Sequence, residues 1–224
     1  MFHGNSLTTI IIPLIITAII LIISITVHEF AHARASDKLG DPTPRIQKRL
    51  TLNPLSHIDP IGLILVFLVG FGWGRAVQIN PRYYKHPLRD ELLVALAWPL
   101  ANIILTIIGM IILLMYEYLF LGVNATLSGS WDMASQFWIQ FCFMNIALAV
   151  FNMIPLPPLD GYRIIKIFFP DTIARIEPYG QYILLWFVVL FIRWPGKWLL
   201  GHYIKSVSSA IFNIFYALFS FFFS

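Results

Sequence analysis

Long apolar runs alternate with short polar segments along this chain. Residues 7–27 form a run of 21 without a charge. At 1.5 Å per residue a helix of that length covers about 31 Å, one hydrocarbon core. Helical spacing continues through residues 28–35, with no Gly or Pro before Gly40, so the first span carries positions 28 to 32 on its last turns. Residues 34–58 are polar. Residues 61–71 are apolar but too short to cross, and glycines stand at 62, 70, 72 and 74. This stretch is expected to be a re-entrant or β-hairpin segment covered by protein, because exposed irregular backbone is not stable in lipid. Alternation over residues 75–80 suggests a short strand. Further spans are expected over about 92–119 and 135–154, the latter ending in a proline-rich stretch. Residues 160–178 are polar, and two more apolar stretches follow at 181–192 and 199–223. The expected fold is an all-α polytopic membrane protein. It is a single membrane-embedded domain over 1–224, a bundle of about five transmembrane helices with its core at about 7–170 and C-terminal helices at about 179–224.

Composition supports that pattern. Hydrophobic residues make up 58% of the 224 and charged residues 12%, about half the charge of an ordinary soluble domain. This excludes a disordered chain and argues against a nucleic-acid partner. The single cysteine, Cys142, excludes an internal disulfide and a four-cysteine metal site. The first apolar run is too long, and lacks the basic leader, for a cleaved signal peptide. Of the 15 basic residues, 12 fall in the segments 34–58, 75–91 and 160–178, and none in 121–134. By the positive-inside rule the first span then runs from outside to a cytoplasmic end.

His28-Glu29-Phe30-Ala31-His32 fits the H-E-x-x-H pattern of zinc hydrolases. Residues i and i+4 share a helix face, so both imidazoles can reach one ion. Glu29, about 100° round the helix, can hold a water as general base. These groups directly extend an apolar run, where each ionisable side chain costs up to about 2.5–3.5 kcal/mol. A mere polar helix end is therefore the weaker reading. A zinc hydrolase needs a third protein ligand and an open position. His3, His86 and His202 lie in terminal or loop segments, and Glu117 and Asp132 lie at the other membrane face by the charge topology. Asp160 stands at the cytoplasmic end of the third span, where the prolines and Gly161 interrupt the helix. Its alternative is a turn or helix-capping aspartate.

Together the motifs HEFAH at 28–32, NPLSHIDPIG at 53–62 and FNMIPLPPLDG at 151–161 resemble the site-2 proteases, the intramembrane zinc metalloproteases, in a short form without appended PDZ or CBS domains. The resemblance covers roughly residues 7–170. It implies Zn2+ held by His28, His32 and Asp160, with Glu29 as catalytic base. It further implies transmembrane protein substrates cleaved within or near the lipid bilayer of a prokaryotic plasma membrane, at its cytoplasmic side. One departure is visible. The family often has Gly-Pro-x-x-Asn on the middle span; here Trp98 precedes Pro99 and Asn102. That change bears on close helix packing and on substrate fit.

Asn102, Asn145 and Asn152 are candidate substrate-binding residues. Asn145 and Asn152 are seven apart and share a helix face; polar contacts between helices are the alternative for all three. His57 and Asp59 either steady the metal ligands or belong to turns of the loop. A second functional class, a membrane metal-ion or proton transporter, would use the same His, Glu and Asp groups. It would also need ionisable groups across the whole membrane, whereas here they cluster at one end.

Overall fold

The computed structural model describes residues 6–69, 73–121, 132–157, 159–180, 182–183, 185–186, 189 and 196–221. Three of its helices are long and apolar enough to cross a membrane: Ile11–Lys38, Pro87–Phe120 and Met133–Asn152. Almost all of the described chain is helical, and among the described residues no strand forms.

Helix α1 (Ser6–Lys38) is continuous from the apolar run into the histidine motif. Its outer stripe Ile11, Ile15, Ile19 and Ile23 is exposed at 39–49%, while Ile20, Leu21 and Ser24 are buried. Four-residue spacing of bare isoleucines is stable only against lipid. A short α2 (Thr43–Ile46) follows. Of the two forms expected at 61–71, a re-entrant segment or a β-hairpin, the hairpin does not form: the chain is helix α3 (Pro60–Val69). Its start is capped by Asp59, whose Oδ1 accepts from Ile61 N at 2.8 Å and Gly62 N at 3.1 Å. An unalternated apolar run satisfies its backbone internally as a helix; a two-stranded ribbon would leave edges bare. The expected strand at 75–80 is extended chain with a single antiparallel bridge, Ile58 to Gly74.

Helix α4 (Pro87–Tyr116) begins five residues earlier than the expected 92. Pro87 occupies its first turn, and Asp90 accepts from His86 N at 3.1 Å. Glu117–Leu121 continue it as a turn of π-helix. Helix α5 (Met133–Asn152) is capped by Asp132, which accepts from Ser135 N at 2.9 Å, and stops before Pro155. The polar segment 160–178 folds into two short helices, α6 (Gly161–Phe168) and α7 (Pro170–Ile176). The last helix, α8 (Gly196–Ser220), covers the stretch expected at 199–223. Most of the expected 181–192 stretch lies outside the described residues; among the described residues three helices are long and apolar enough to span, with α8 beside them.

Helices α1, α4 and α5 pack on one another, and α8 lies against α5 and α4. One apolar cluster joins Met110, Leu113 and Leu114 of α4 with Cys142 and Ile146 of α5 and Phe212 and Tyr216 of α8. At that end Glu117 is buried and accepts from Tyr216 Oη at 3.0 Å. Cys142 is a packing residue there.

Candidate metal centre

Helix α1 turns His28 and His32 to the same side, with ring centroids 5.1 Å apart and edge to face. Both are buried, at 8% exposure. Asp160 meets them from the far end of α5. Its Oδ2 lies 3.2 Å from His32 Nε2 and 3.6 Å from His28 Nε2. Among the described residues these three are the group of side chains whose donor atoms all fall within 4.8 Å. Donors about 2.0–2.2 Å from one tetrahedral ion lie roughly 3.4 Å from each other, so two imidazole nitrogens and a carboxylate at these separations suit zinc and leave a fourth position open.

The chain places Asp160 there through a local device. After α5 stops, turns at Ile154–Leu156 and Leu156–Leu159 fold the proline-rich stretch back. Gly161 then sits so tightly on the end of α5 that a Cβ would clash with the carbonyl oxygens of Met153 and Ile154. Asp160 occupies the capping position of α6, yet its side chain makes no capping bond. The carboxylate is therefore left for the histidines, not for the turn that the alternative reading assigned to it.

Helix α4 completes the surroundings. The Val94 carbonyl lies 3.1 Å from His32 Nδ1. A proton donated there leaves Nε2 with its lone pair toward Asp160. Pro99 removes the donor that would bond the Ala95 carbonyl, loosening the ladder at this turn. Trp98 is fully buried and packs against His28, with centroids 4.8 Å apart and planes at 36°. The residue that looked like a packing problem in the sequence forms a wall of the histidine pair.

Glu29 is 7% exposed and points toward the extended segment, where its Oε2 accepts from Val77 N at 2.8 Å. Gly74 lets the segment lie close against α1 beside Glu29; a Cβ there would come within 2.5 Å of Ile25 Cγ2 and 3.1 Å of His57 O. The extended segment is itself pinned. The Arg49 guanidinium donates to Ser56 O and, at 3.4 Å, to Ala76 O. Arg75 N donates to His57 O at 2.7 Å. Fully buried Asp41 accepts from Ser36 Oγ and Asn80 N at 2.8 Å and from Thr43 N at 2.9 Å. His57 is buried, with Nε2 2.8 Å from Thr51 O. Burial, against the pull of that carbonyl and together with nearby Arg49, lowers its pKa and keeps the ring neutral. Its role and that of Asp59 in these contacts is to shape the loop.

The asparagines divide. Asn102 and Asn145 are fully buried against each other, with Asn102 Nδ2 3.5 Å from Asn145 O. Asn145 Nδ2 donates to Phe141 O at 2.9 Å, and both side-chain oxygens lack a partner among the described residues. Asn152 Nδ2 donates to Leu148 O, one turn back on α5, at 3.2 Å. The sequence pattern does not reveal the Val94 carbonyl, the Val77 N–H, Arg49, or the pair of Arg163, whose Nε is 3.6 Å from Asp160 Oδ1, and Glu91, which is 3.1 Å from Arg163 Nη1. Charge pattern marks the basic residues for topology alone, and backbone groups leave no trace in residue identity.

The chain is similar to known proteins of one family. The profile of peptidase family M50 matches residues 16–193. The chain is 40% identical over 202 residues to a Bacillus subtilis protein named "Putative zinc metalloprotease YwhC", covering 90% of this chain and 91% of that protein. It is 32% identical over 182 residues to "Putative zinc metalloprotease Rip2" of Mycolicibacterium smegmatis, covering 76% of this chain and 64% of that one. A Rip2 of Mycobacterium tuberculosis is 30% identical over 179 residues, with the same two shares. No solved structure matches the chain at a significant level.

Proposed function

Because the chain belongs to peptidase family M50, we propose that this intramembrane zinc metalloprotease cuts transmembrane proteins at a site built from His28, His32, Asp160 and Glu29 and opening to the cytoplasm. The convergence of His28, His32 and Asp160 within 4.8 Å is the observation that carries this reading. The transporter alternative finds no support in the family or its relatives.

His28, His32 and Asp160 would hold the Zn2+. A zinc ion at such a site supplies Lewis acidity and lowers the pKa of water to about 7. The Glu29 carboxylate takes the proton of the attacking water as the water oxygen bonds to the scissile carbonyl carbon. It then delivers that proton to the amide nitrogen as the carbon–nitrogen bond breaks. The Val77 N–H holds one Glu29 oxygen at 2.8 Å and fixes the carboxylate's direction. Trp98 covers the histidine pair and excludes bulk water from that side.

A substrate helix hides its carbonyls in backbone hydrogen bonds, so it must unwind before cleavage. The extended segment 75–80 offers an edge along which the unwound peptide can lie as a strand. Asn102 and Asn145 carry buried side-chain oxygens without partners, suited to accept the N–H groups that unwinding frees, with Asn152 further along the path. The weight of basic residues in 34–58, 75–91 and 160–178 favours a cytoplasmic site, and the bacterial source of the relatives favours a prokaryotic plasma membrane.

The test is Glu29→Gln in purified protein with a single-span substrate. Cleavage should fall at least 100-fold while bound zinc is retained; undiminished cleavage refutes the reading.

A further inference from the structure

Helix α4 carries a buried carboxylate that the mechanism does not use. Glu91 is 5% exposed in the first turns of that helix. Its Oε1 accepts from Arg163 Nη1 at 3.1 Å and lies 3.4 Å from Lys166 Nζ. Lys166 in turn is 3.7 Å from Glu177 Oε2. A buried acid paired with cations is a common packing device. This one differs in where its arginine leads.

Arg163 stands between two carboxylates from different parts of the chain. Its Nε lies 3.6 Å from Asp160 Oδ1, beyond a good hydrogen bond. The two oxygens of Asp160 are thus divided: Oδ2 faces the histidines and Oδ1 faces the guanidinium. Glu91 holds Arg163 back. Without that hold the guanidinium is free to close on Asp160 as a bidentate pair and compete for the oxygen the histidines face.

Glu91, Val94 and Trp98 are spaced i, i+3 and i+7 and share one face of α4. Val94 O meets His32 and Trp98 meets His28. We propose that Glu91 is a positioning residue for the metal centre, acting through Arg163 to fix how Asp160 is presented, so that one face of α4 orients all three metal-holding side chains. The proposal rests on Asp160 being a zinc ligand.

Zinc affinity of the purified full-length protein, measured by competition with a chelator, tests it. Partners of this kind typically change metal affinity 10–100-fold. Glu91→Gln should weaken zinc binding about tenfold or more. Arg163→Met, which removes the competing guanidinium, should leave it within about twofold of wild type, and adding Glu91→Gln to Arg163→Met should cost nothing further, because Glu91 acts through Arg163. Glu91→Asp, which keeps the charge and guards against a failure of Glu91→Gln to fold, should weaken binding less. If Asp160→Ala weakens zinc binding but Glu91→Gln and Glu91→Asp leave it unchanged, Glu91 serves packing alone and the proposal is overturned. Independent costs in the double variant overturn it too. If Asp160→Ala itself leaves zinc affinity unchanged, the ligand reading falls and the proposal with it.

Discussion

Glu29 depends on a group that no side chain supplies. The Val77 N–H donates to its carboxylate inside a buried site, and hydrogen bonds to charged groups are worth about 1.5–3 kcal/mol. Replacing Val77 by proline removes the donor, and Val77→Ala, which keeps the N–H, controls for the loss of the buried side chain. In the proline variant the kcat of substrate cleavage should fall about tenfold or more, with zinc content unchanged. A kcat within twofold of wild type would show that Glu29 is directed by something else. At this scale the sequence is legible where chemistry is written in residue type. His28, Glu29 and His32 announce themselves by spacing, and Asp160 by the interruption around it. Arg163 does not, because nothing in its type distinguishes an arginine that anchors a loop from one set 3.6 Å from the Asp160 carboxylate.

At the scale of elements, the non-helical connections decide where the helices' groups can act. Asp41 ties the end of α1, the start of α2 and the extended segment 75–80 into one knot. Burial alone would raise its pKa, but the hydrogen bonds from Thr43, Asn80 and Ser36 outweigh it and hold the carboxyl below the ordinary aspartate value. A depressed folded-state pKa stabilises the fold above the unfolded value, near 3.9, and that contribution is lost as pH falls through the folded value. Thermal melting in detergent should therefore show wild type losing its advantage over Asp41→Asn as pH drops below about 4, and keeping it at neutral pH. Parallel curves across the range would remove Asp41 from this role. In the same region the glycines and shortness of 61–71 left a re-entrant segment and a β-hairpin both open; the capping Asp59 and the apolar run through Val69 made helix α3 in place of the hairpin.

For the whole molecule, the bundle and the metal site are built from different contacts. The apolar cluster of α4, α5 and α8 contains none of His28, His32 and Asp160. Stripping zinc with a chelator should abolish cleavage while the far-ultraviolet helical signal stays within a few per cent. Loss of helix on stripping would mean that zinc holds the bundle together. The sequence by itself determined that the chain enters the membrane, because long uncharged runs have no other stable solvent. It also determined the class of chemistry, because His28, Glu29 and His32 lie within one helix whose repeat is known in advance. What only the tertiary structure decided is which distant groups complete that helix face. Asp160, the Val94 carbonyl, Trp98 and the Val77 N–H arrive from other segments, some through backbone atoms. Their placement follows from how α4, the extended segment and the turn at Gly161 pack on α1. Packing is a property of surfaces meeting in space, and spacing along the chain does not encode it.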